Sequence, residues 1–150
     1  MRIVIQRVSE ASVRIDNKLV GQIDAGMMIL LGIEEADDQS DADWLVQKVL
    51  GLRIFSDDEG KMNRSIAEIN GRFLVVSQFT LHASTKKGNR PSYIRAARPE
   101  HAVPLYEYFI HQLGMLSNTT IETGKFGADM KVSLLNDGPV TILIDSKSRE

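Results

Sequence analysis

Two hydroxyl side chains and one amide side chain lie close together at residues 77–81, where the sequence is Ser-Gln-Phe-Thr-Leu. They follow a dense apolar run over residues 73–76, which predicts a strand that is buried on both faces. A buried strand fixes the position of the side chains at its end, and the following loop exposes backbone N–H groups, so chemistry is often located there. The alternative is that these polar side chains only satisfy stray backbone groups.

Few of the side chains that usually support catalysis are grouped in this sequence. The chain has no cysteine, which excludes disulfides, thiolate catalysis and Cys-ligated zinc. His82 could act as a base for Ser77 or Thr80, but the sequence offers no carboxylate to orient its ring. We expect no metal and no cofactor, because metal ligands do not cluster. The remaining groups favour a site of backbone N–H donors, small hydroxyls and a basic loop, which suits an oxyanion hole for ester hydrolysis.

The basic residues are concentrated in one segment. The net charge of the chain is −2, but residues 71–99 contain six Arg or Lys side chains and no Asp or Glu. This asymmetry predicts an anion site on an otherwise acidic body, with a solvated basic loop as the alternative. Residues 82–99 form a long loop in which the cations are interleaved with His82 and Tyr93. That composition suits the binding of phosphates and the stacking of bases.

A chain of 150 residues that is 43% apolar suits one globular domain. No linker or repeat divides it, so we predict a single domain over residues 1–150. The longest apolar run, residues 27–31, is far shorter than the ~18 residues that a membrane span needs. Short alternating segments, separated by turns such as Ser9–Glu10, are typical of an antiparallel meander at the start of the chain. We expect strands at residues 2–8, 12–16, 19–23, 27–33, 73–76, 119–123, 131–135 and 140–145.

Two helices are predicted between these strands. The first begins with a capping box at Ser40 and runs to about Arg53, and a polar loop follows at residues 55–63. The second lies between about Pro99 and Leu113 and has Gly114 as its C-terminal cap. The expected fold is therefore mixed α/β: a largely antiparallel, curved, barrel-like sheet with two helices packed against it.

The segment at residues 136–139, Asn-Asp-Gly-Pro, lies between two predicted strands. Asp-Gly in that place ordinarily indicates a hairpin turn. The proline after the glycine removes an N–H where the next strand should begin to pair, and it makes a cis peptide bond possible.

Three motifs together make the chain resemble the D-aminoacyl-tRNA deacylases, also known as the D-tyrosyl-tRNA deacylase family. They are the N-terminal segment 1–8, the Ser-Gln-Phe-Thr-Leu motif at 77–81 and the Asn-Asp-Gly-Pro-Val-Thr motif at 136–141. The resemblance covers essentially the whole chain. It implies hydrolysis of the ester that joins a D-amino acid, or glycine mischarged on tRNA(Ala), to the 3′-terminal adenosine of tRNA. It also implies a cytoplasmic homodimer that binds aminoacyl-tRNA and acts on neither DNA nor membranes.

The resemblance assigns the recognition of handedness to Gly138 and Pro139. Their peptide bond is expected to be cis, with both carbonyl oxygens pointing the same way and accepting hydrogen bonds from the substrate's α-ammonium group. This pair would enter the active site of the other subunit, where an L side chain would collide with it. Arg7 is expected to support the motif.

The resemblance also implies an oxyanion hole made by backbone N–H groups near Phe79 and Thr80. The attacking water would be activated with help from the 2′-hydroxyl of the tRNA itself. Phe126 and Met130 match positions that line the adenosine and acyl pocket. The full set of residues expected at the catalytic centre is Ser77, Gln78, Phe79 and Thr80. From charge alone, we assign the tRNA acceptor end to Lys86, Lys87, Arg90 and Arg95.

Two other functions remain open from the residues themselves. The first is a non-catalytic RNA-binding module that uses the basic loop. The second is a small-ester hydrolase in which Thr80 is the nucleophile, although that mechanism lacks an oriented base.

Overall fold

A six-stranded sheet and two α-helices form the fold in the computed structural model, which describes residues 1–149. A separate two-stranded hairpin, β4–β5, occupies the segment that was predicted as a polar loop. The strands are β1 (Arg2–Ile15), β2 (Lys18–Ile23), β3 (Gly26–Gly32), β4 (Phe55–Ser56), β5 (Met62–Arg64), β6 (Arg72–Ser77), β7 (Glu122–Thr123) and β8 (Lys131–Asp145). The helices are α1 (Gln39–Gly51) and α2 (Pro99–Ser117), and a short 3₁₀ helix spans Phe79–His82.

Strand β1 is the axis of the sheet. After a tight turn at Asp16 and Asn17, which both have positive φ, β2 and then β3 run antiparallel to β1. Strand β8 also pairs antiparallel with β1, along most of its length. The predicted turn at Ser9–Glu10 and the meander are therefore wrong. The polar pair continues the strand because Glu10 pairs with Leu135 of β8.

The sheet is mixed rather than wholly antiparallel. Strand β6 pairs parallel to β3, and β7 pairs parallel to β6. Because β2 also contacts β6 and β7, the sheet curls into a nearly closed, barrel-like form. The predicted architecture, a curved barrel-like sheet with two helices against it, is confirmed.

Strand β6 separates two hydrophobic cores, so its predicted burial on both faces is confirmed. Phe73 and Val75 face the core between the sheet and the helices. Leu74 and Val76 face the smaller core inside the curled sheet. The strand is thereby held from both sides, and the backbone at its end has a fixed position.

Helix α2 begins at Pro99, as predicted, but the N-terminal cap of α1 and the C-terminal end of α2 differ from the prediction. Helix α1 is capped by Asp38, which accepts a hydrogen bond from the Ser40 N–H at 2.8 Å while Asp41 accepts from the Asp38 N–H at 2.9 Å. Helix α2 continues past Gly114 to Ser117 and is capped by Asn118, which takes the left-handed conformation. A Cβ at Gly114 would lie 3.4 Å from the carbonyl oxygen of Thr119, an ordinary contact distance, so Gly114 is an interior helix residue and not the cap.

The two strands expected at the C-terminal end of the chain are one strand, β8, and the predicted hairpin is wrong. Val8 of β1 pairs with Asn136, whereas Gln6 pairs with Thr141, so the four residues 137–140 bulge out of a continuous ladder. The Asn136 side chain closes the bulge, because its Oδ1 accepts from the Val140 N–H at 2.8 Å.

Candidate active site

A cavity of about 270 Å³ opens beside the end of β6. Ser77, Gln78 and Phe79 form one wall, and Phe126 and Met130, from the segment between β7 and β8, form another. The structure thus brings together five residues that the sequence singled out, although some fifty residues separate the two walls in the chain. Thr80 lies next to this wall but does not line the cavity.

Two backbone N–H groups beside this wall have no acceptor. The N–H of Gln78 donates to the carbonyl of Leu31 at 2.8 Å and so extends the pairing of β6 with β3. The chain then turns into the 3₁₀ helix, and the N–H groups of Phe79 and Thr80 donate no hydrogen bond to any group in residues 1–149. At this turn the Gln78 carbonyl oxygen lies close to Gly32 of β3. A Cβ at Gly32 would lie 2.9 Å from that oxygen, so the close contact needs a glycine.

The hydroxyl groups near the cavity have no base. The amide nitrogen of the Gln78 side chain donates to the Thr80 hydroxyl oxygen. His82 is only 1% exposed, and neither ring nitrogen has a hydrogen-bond partner within residues 1–149. Burial lowers the pKa of the His82 imidazole, so the ring is neutral at pH 7. Within residues 1–149, neither the Ser77 nor the Thr80 hydroxyl is hydrogen-bonded to a base, as an activated serine or threonine nucleophile would be.

The bulge in β8 is held by Arg7. The Arg7 guanidinium donates to the carbonyl oxygens of Asp137 and Ile54, both at 2.7 Å, and the side chain is buried. The Gly138–Pro139 peptide bond is cis, and both residues are exposed. Neither residue lines the cavity of its own chain.

The basic loop forms a small hairpin. Ser84 and Ser92 exchange two backbone hydrogen bonds, of 2.8 and 2.9 Å, and the residues between them form an exposed tip. Lys86, Lys87 and Arg90 lie in this tip and form no ion pair with the described part of the chain. Arg95 lies outside the tip and forms an ion pair of 2.8 Å with Glu34. The structure therefore groups three of the four predicted cations and separates Arg95 from them.

Two tyrosine rings pack against the aromatic residues of the cavity, and sequence reasoning gave the first of them, Tyr106, no place at the site. The Tyr106 ring packs against Phe126 with ring centroids 5.7 Å apart, and its hydroxyl donates to the Val75 carbonyl at 3.1 Å. Burial raises the pKa of Tyr106 to about 12. The Tyr93 ring contacts Phe79 edge to face, with centroids 5.1 Å apart. The sequence carried only a weak signal for Tyr93, its place among the loop cations.

Residues 1–149 also lack two other features, a metal site and a membrane-spanning helix. Within them, no group of three or more His, Asp or Glu side chains is arranged to hold a metal ion. No helix in the same range is long and apolar enough to cross a membrane.

Comparisons with known proteins agree on one family. The family model described as D-Tyr-tRNA(Tyr) deacylase matches residues 4–145. The chain is 61% identical over 150 residues to a D-aminoacyl-tRNA deacylase of Phocaeicola vulgatus, and both chains are covered completely. It is 63% identical over 147 residues to one of Cytophaga hutchinsonii, with 98% of each chain covered.

Two solved structures share the fold. The c-Myc DNA Unwinding Element Binding Protein superposes with a TM-score of 0.92 at 40% identity, covering 97% of this chain and 98% of the other. A probable eukaryotic D-amino acid tRNA deacylase superposes with a TM-score of 0.81 at 17% identity, covering 95% and 97%.

Proposed function

Since the chain belongs to the D-Tyr-tRNA(Tyr) deacylase family and is a D-aminoacyl-tRNA deacylase, a hydrolase, we propose that the cavity beside β6 holds the ester bond of the substrate. The observation that carries this proposal is the pair of unbonded N–H groups at Phe79 and Thr80. They lie at the wall that Ser77, Gln78 and Phe79 form. Two neighbouring amides without an acceptor can bind an oxyanion.

The reaction is the addition of water to the carbonyl carbon of the ester. The carbonyl oxygen becomes negative in the tetrahedral intermediate, where the two amides stabilise it more than they stabilise the neutral ester. When the intermediate collapses, the ribose 3′-oxygen leaves with a proton and the free D-amino acid is released. The 2′-hydroxyl of the terminal ribose assists the attacking water, which fits a site whose own hydroxyls lack a base.

Handedness is selected by Gly138 and Pro139 of a second subunit. Their carbonyl groups accept hydrogen bonds from the α-ammonium group, and an L side chain would collide with them, whereas a D side chain projects away. Glycine has no side chain to collide, so glycyl-tRNA(Ala) is also a substrate. In support, both residues are exposed, neither lines its own cavity, and Arg7 holds the bulge that presents them.

The acceptor end of the tRNA binds along the basic loop. Lys86, Lys87 and Arg90 offer exposed cations to the phosphates, and Arg95, which is 55% exposed beside Glu34, keeps part of its guanidinium open. The substrate class places the reaction in the cytoplasm, where aminoacyl-tRNA is made and used.

The test compares three substrates: D-tyrosyl-tRNA(Tyr), L-tyrosyl-tRNA(Tyr) and glycyl-tRNA(Ala), each labelled on the amino acid. We expect release of D-tyrosine and glycine, and no release of L-tyrosine above the rate without enzyme. Binding of all three without release would identify an RNA-binding module instead. Hydrolysis of L and D substrates alike, with a covalent adduct on Thr80, would identify a small-ester hydrolase.

A further inference from the structure

An exposed aromatic pair lies beside the mouth of the cavity. Phe79 is 54% exposed and Tyr93 is 40% exposed, and together they make one exposed aromatic patch. Their rings meet edge to face at an interplanar angle of 75°. An edge-to-face contact covers only one ring face of the pair, so flat surface remains open to a ligand.

The position of Tyr93 is fixed by the backbone on both sides. The preceding residue, Ser92, pairs with Ser84 through two hydrogen bonds. On the other side, the N–H of Ala96 donates to the Tyr93 carbonyl at 3.0 Å, and Ala97 donates to Ile33 of the β3–α1 segment at 2.9 Å. A ring on such a frame loses little conformational entropy when it binds a ligand.

Charge identifies the kind of ligand. The aromatic pair lies at the base of the hairpin whose tip carries Lys86, Lys87 and Arg90, and no carboxylate occurs between residues 71 and 99. An apolar surface without cations would suit a protein partner. A flat aromatic surface next to three free cations suits an unpaired nucleotide, because the base can stack on the ring while the phosphate pairs with the cations.

We propose that Tyr93, supported by Phe79, stacks on the base of the nucleotide that precedes the ester-bearing one in the single-stranded acceptor end of tRNA. Phe79 lines the cavity and Tyr93 stands on its outer side, next to the basic tip. A strand that enters past the tip therefore meets the cations first, then the aromatic pair, then the cavity. The proposal rests on the proposed function and adds a binding residue to it.

The first experiment compares D-tyrosyl-tRNA(Tyr) with D-tyrosyl-adenosine, which lacks the preceding nucleotide. For Tyr93→Ala we expect the ratio of the two kcat/KM values to fall about tenfold, since base–aromatic stacking is worth about that much. Tyr93→Phe keeps the ring and should keep the ratio. Ile94→Ala is the matched control, because Ile94 is the next residue and is 87% exposed but has no ring. An unchanged ratio in Tyr93→Ala, or an equal fall in Ile94→Ala, would overturn the proposal.

The second experiment does not depend on catalysis. An acceptor-stem RNA with 2-aminopurine in place of the base before the terminal adenosine should lose fluorescence on binding to the wild-type protein and to Tyr93→Phe. The same RNA should show much less quenching with Tyr93→Ala at saturation. If the wild type deacylates nothing but quenches the probe, the proposed function fails and the stacking stands. If deacylation is normal and quenching is the same in all variants, the stacking is refuted.

Light scattering of the same variants tests the other possible occupant, a second copy of the chain. We expect Tyr93→Ala to have the same mass as the wild type. A smaller mass would show that the aromatic pair is part of a protein interface, which would overturn the proposal.

Discussion

At the scale of single residues, Thr80 separates two mechanisms. Its hydroxyl oxygen accepts a hydrogen bond from Gln78 and, within residues 1–149, is bonded to no base, so the proposed mechanism uses the backbone N–H of this residue and not its side chain. We expect Thr80→Ala to lower the single-turnover deacylation rate by less than about tenfold, whereas loss of a true nucleophile costs about a thousandfold or more. Ser77→Ala serves as the parallel variant. A covalent acyl-enzyme in the mass spectrum, lost in Thr80→Ala, would contradict the backbone mechanism.

Arg7 is a buried cation whose donors satisfy two carbonyl groups. Arg7→Ala would leave the carbonyls of Asp137 and Ile54 without this partner. The Ile54 carbonyl is buried, and an unpaired buried group costs about 1–3 kcal/mol, while the Asp137 carbonyl lies on the exposed bulge. We therefore expect the free energy of unfolding in urea to fall by about 2 kcal/mol or more. The deacylation rate should fall by more than the loss of folded protein explains, because the bulge that carries Gly138 loses its support.

Arg14 on the same strand is the control for this variant. Its guanidinium donates to the carbonyl of Asn17 in an exposed turn at 3.2 Å, so Arg14→Ala should change stability by less than about 0.5 kcal/mol. Equal effects of the two substitutions on unfolding and on deacylation would show that Arg7 has no special role in the bulge.

At the scale of elements, Tyr106 ties α2 to β6. Its hydroxyl donates to the Val75 carbonyl at 3.1 Å in the buried interior, so Tyr106→Phe should cost about 1 kcal/mol at pH 7. Burial raises the folded-state pKa of Tyr106 to about 12, above the ordinary value of 10.0. The hydroxyl thus contributes stability below pH 10 that is lost as the pH rises towards 12.

The pH dependence gives this prediction its test. Urea unfolding of the wild type and of Tyr106→Phe should differ by about 1 kcal/mol at pH 7, and the difference should close near pH 11, where the linkage costs the wild type about 1.4 kcal/mol. Tyr108→Phe is the control, because its hydroxyl bonds Asp43 on the exposed surface. If the difference in unfolding free energy between the wild type and Tyr106→Phe stays constant from pH 7 to pH 11, the Tyr106 hydroxyl is not buried as described.

Local sequence signals predicted the elements that depend on local chemistry. The apolar run before Ser77 predicted a strand buried on both faces, because such a strand has no polar residues alternating with its apolar ones. The same signals failed at Ser9–Glu10 and at residues 136–139, where turn-forming residues lie inside long strands. There the ladder between β1 and β8 overrides the local preference, and the Asn136 side chain replaces the missing backbone bonds.

The site was less accessible to local reasoning than the fold. Phe126 and Met130 meet Ser77 only because β7 pairs with β6 and returns the chain to the same end of the sheet. The spacing of these residues in the sequence does not predict that contact. The prediction that they share one pocket came from the family resemblance. The Arg95–Glu34 ion pair was missed for a related reason, since a count of charges does not reveal which cations already have partners.

At the scale of the whole molecule, β8 is a long edge strand with exposed apolar residues. Within residues 1–149 it pairs with β1 alone, and it exposes apolar residues on both sides of the bulge, Leu135 at 58% and Leu143 at 65%. A long edge strand with exposed apolar side chains is a template for association. The bulge with Gly138 and Pro139 lies between these two leucines, so a second copy docked on β8 would bring the pair next to another chain.

This arrangement predicts a homodimer whose assembly is needed for catalysis. Leu143→Asp should convert a particle of twice the 16.7 kDa chain mass into a monomer in analytical ultracentrifugation, because a carboxylate cannot be desolvated in an apolar interface. Circular dichroism should stay unchanged, while hydrolysis of D-aminoacyl-tRNA is lost. Met115→Asp on α2 is the matched control, since Met115 is also 65% exposed and should leave mass and activity intact. A monomeric wild type with full activity, or an active Leu143→Asp monomer, would refute the shared active site and confine stereochemical selection to a single chain.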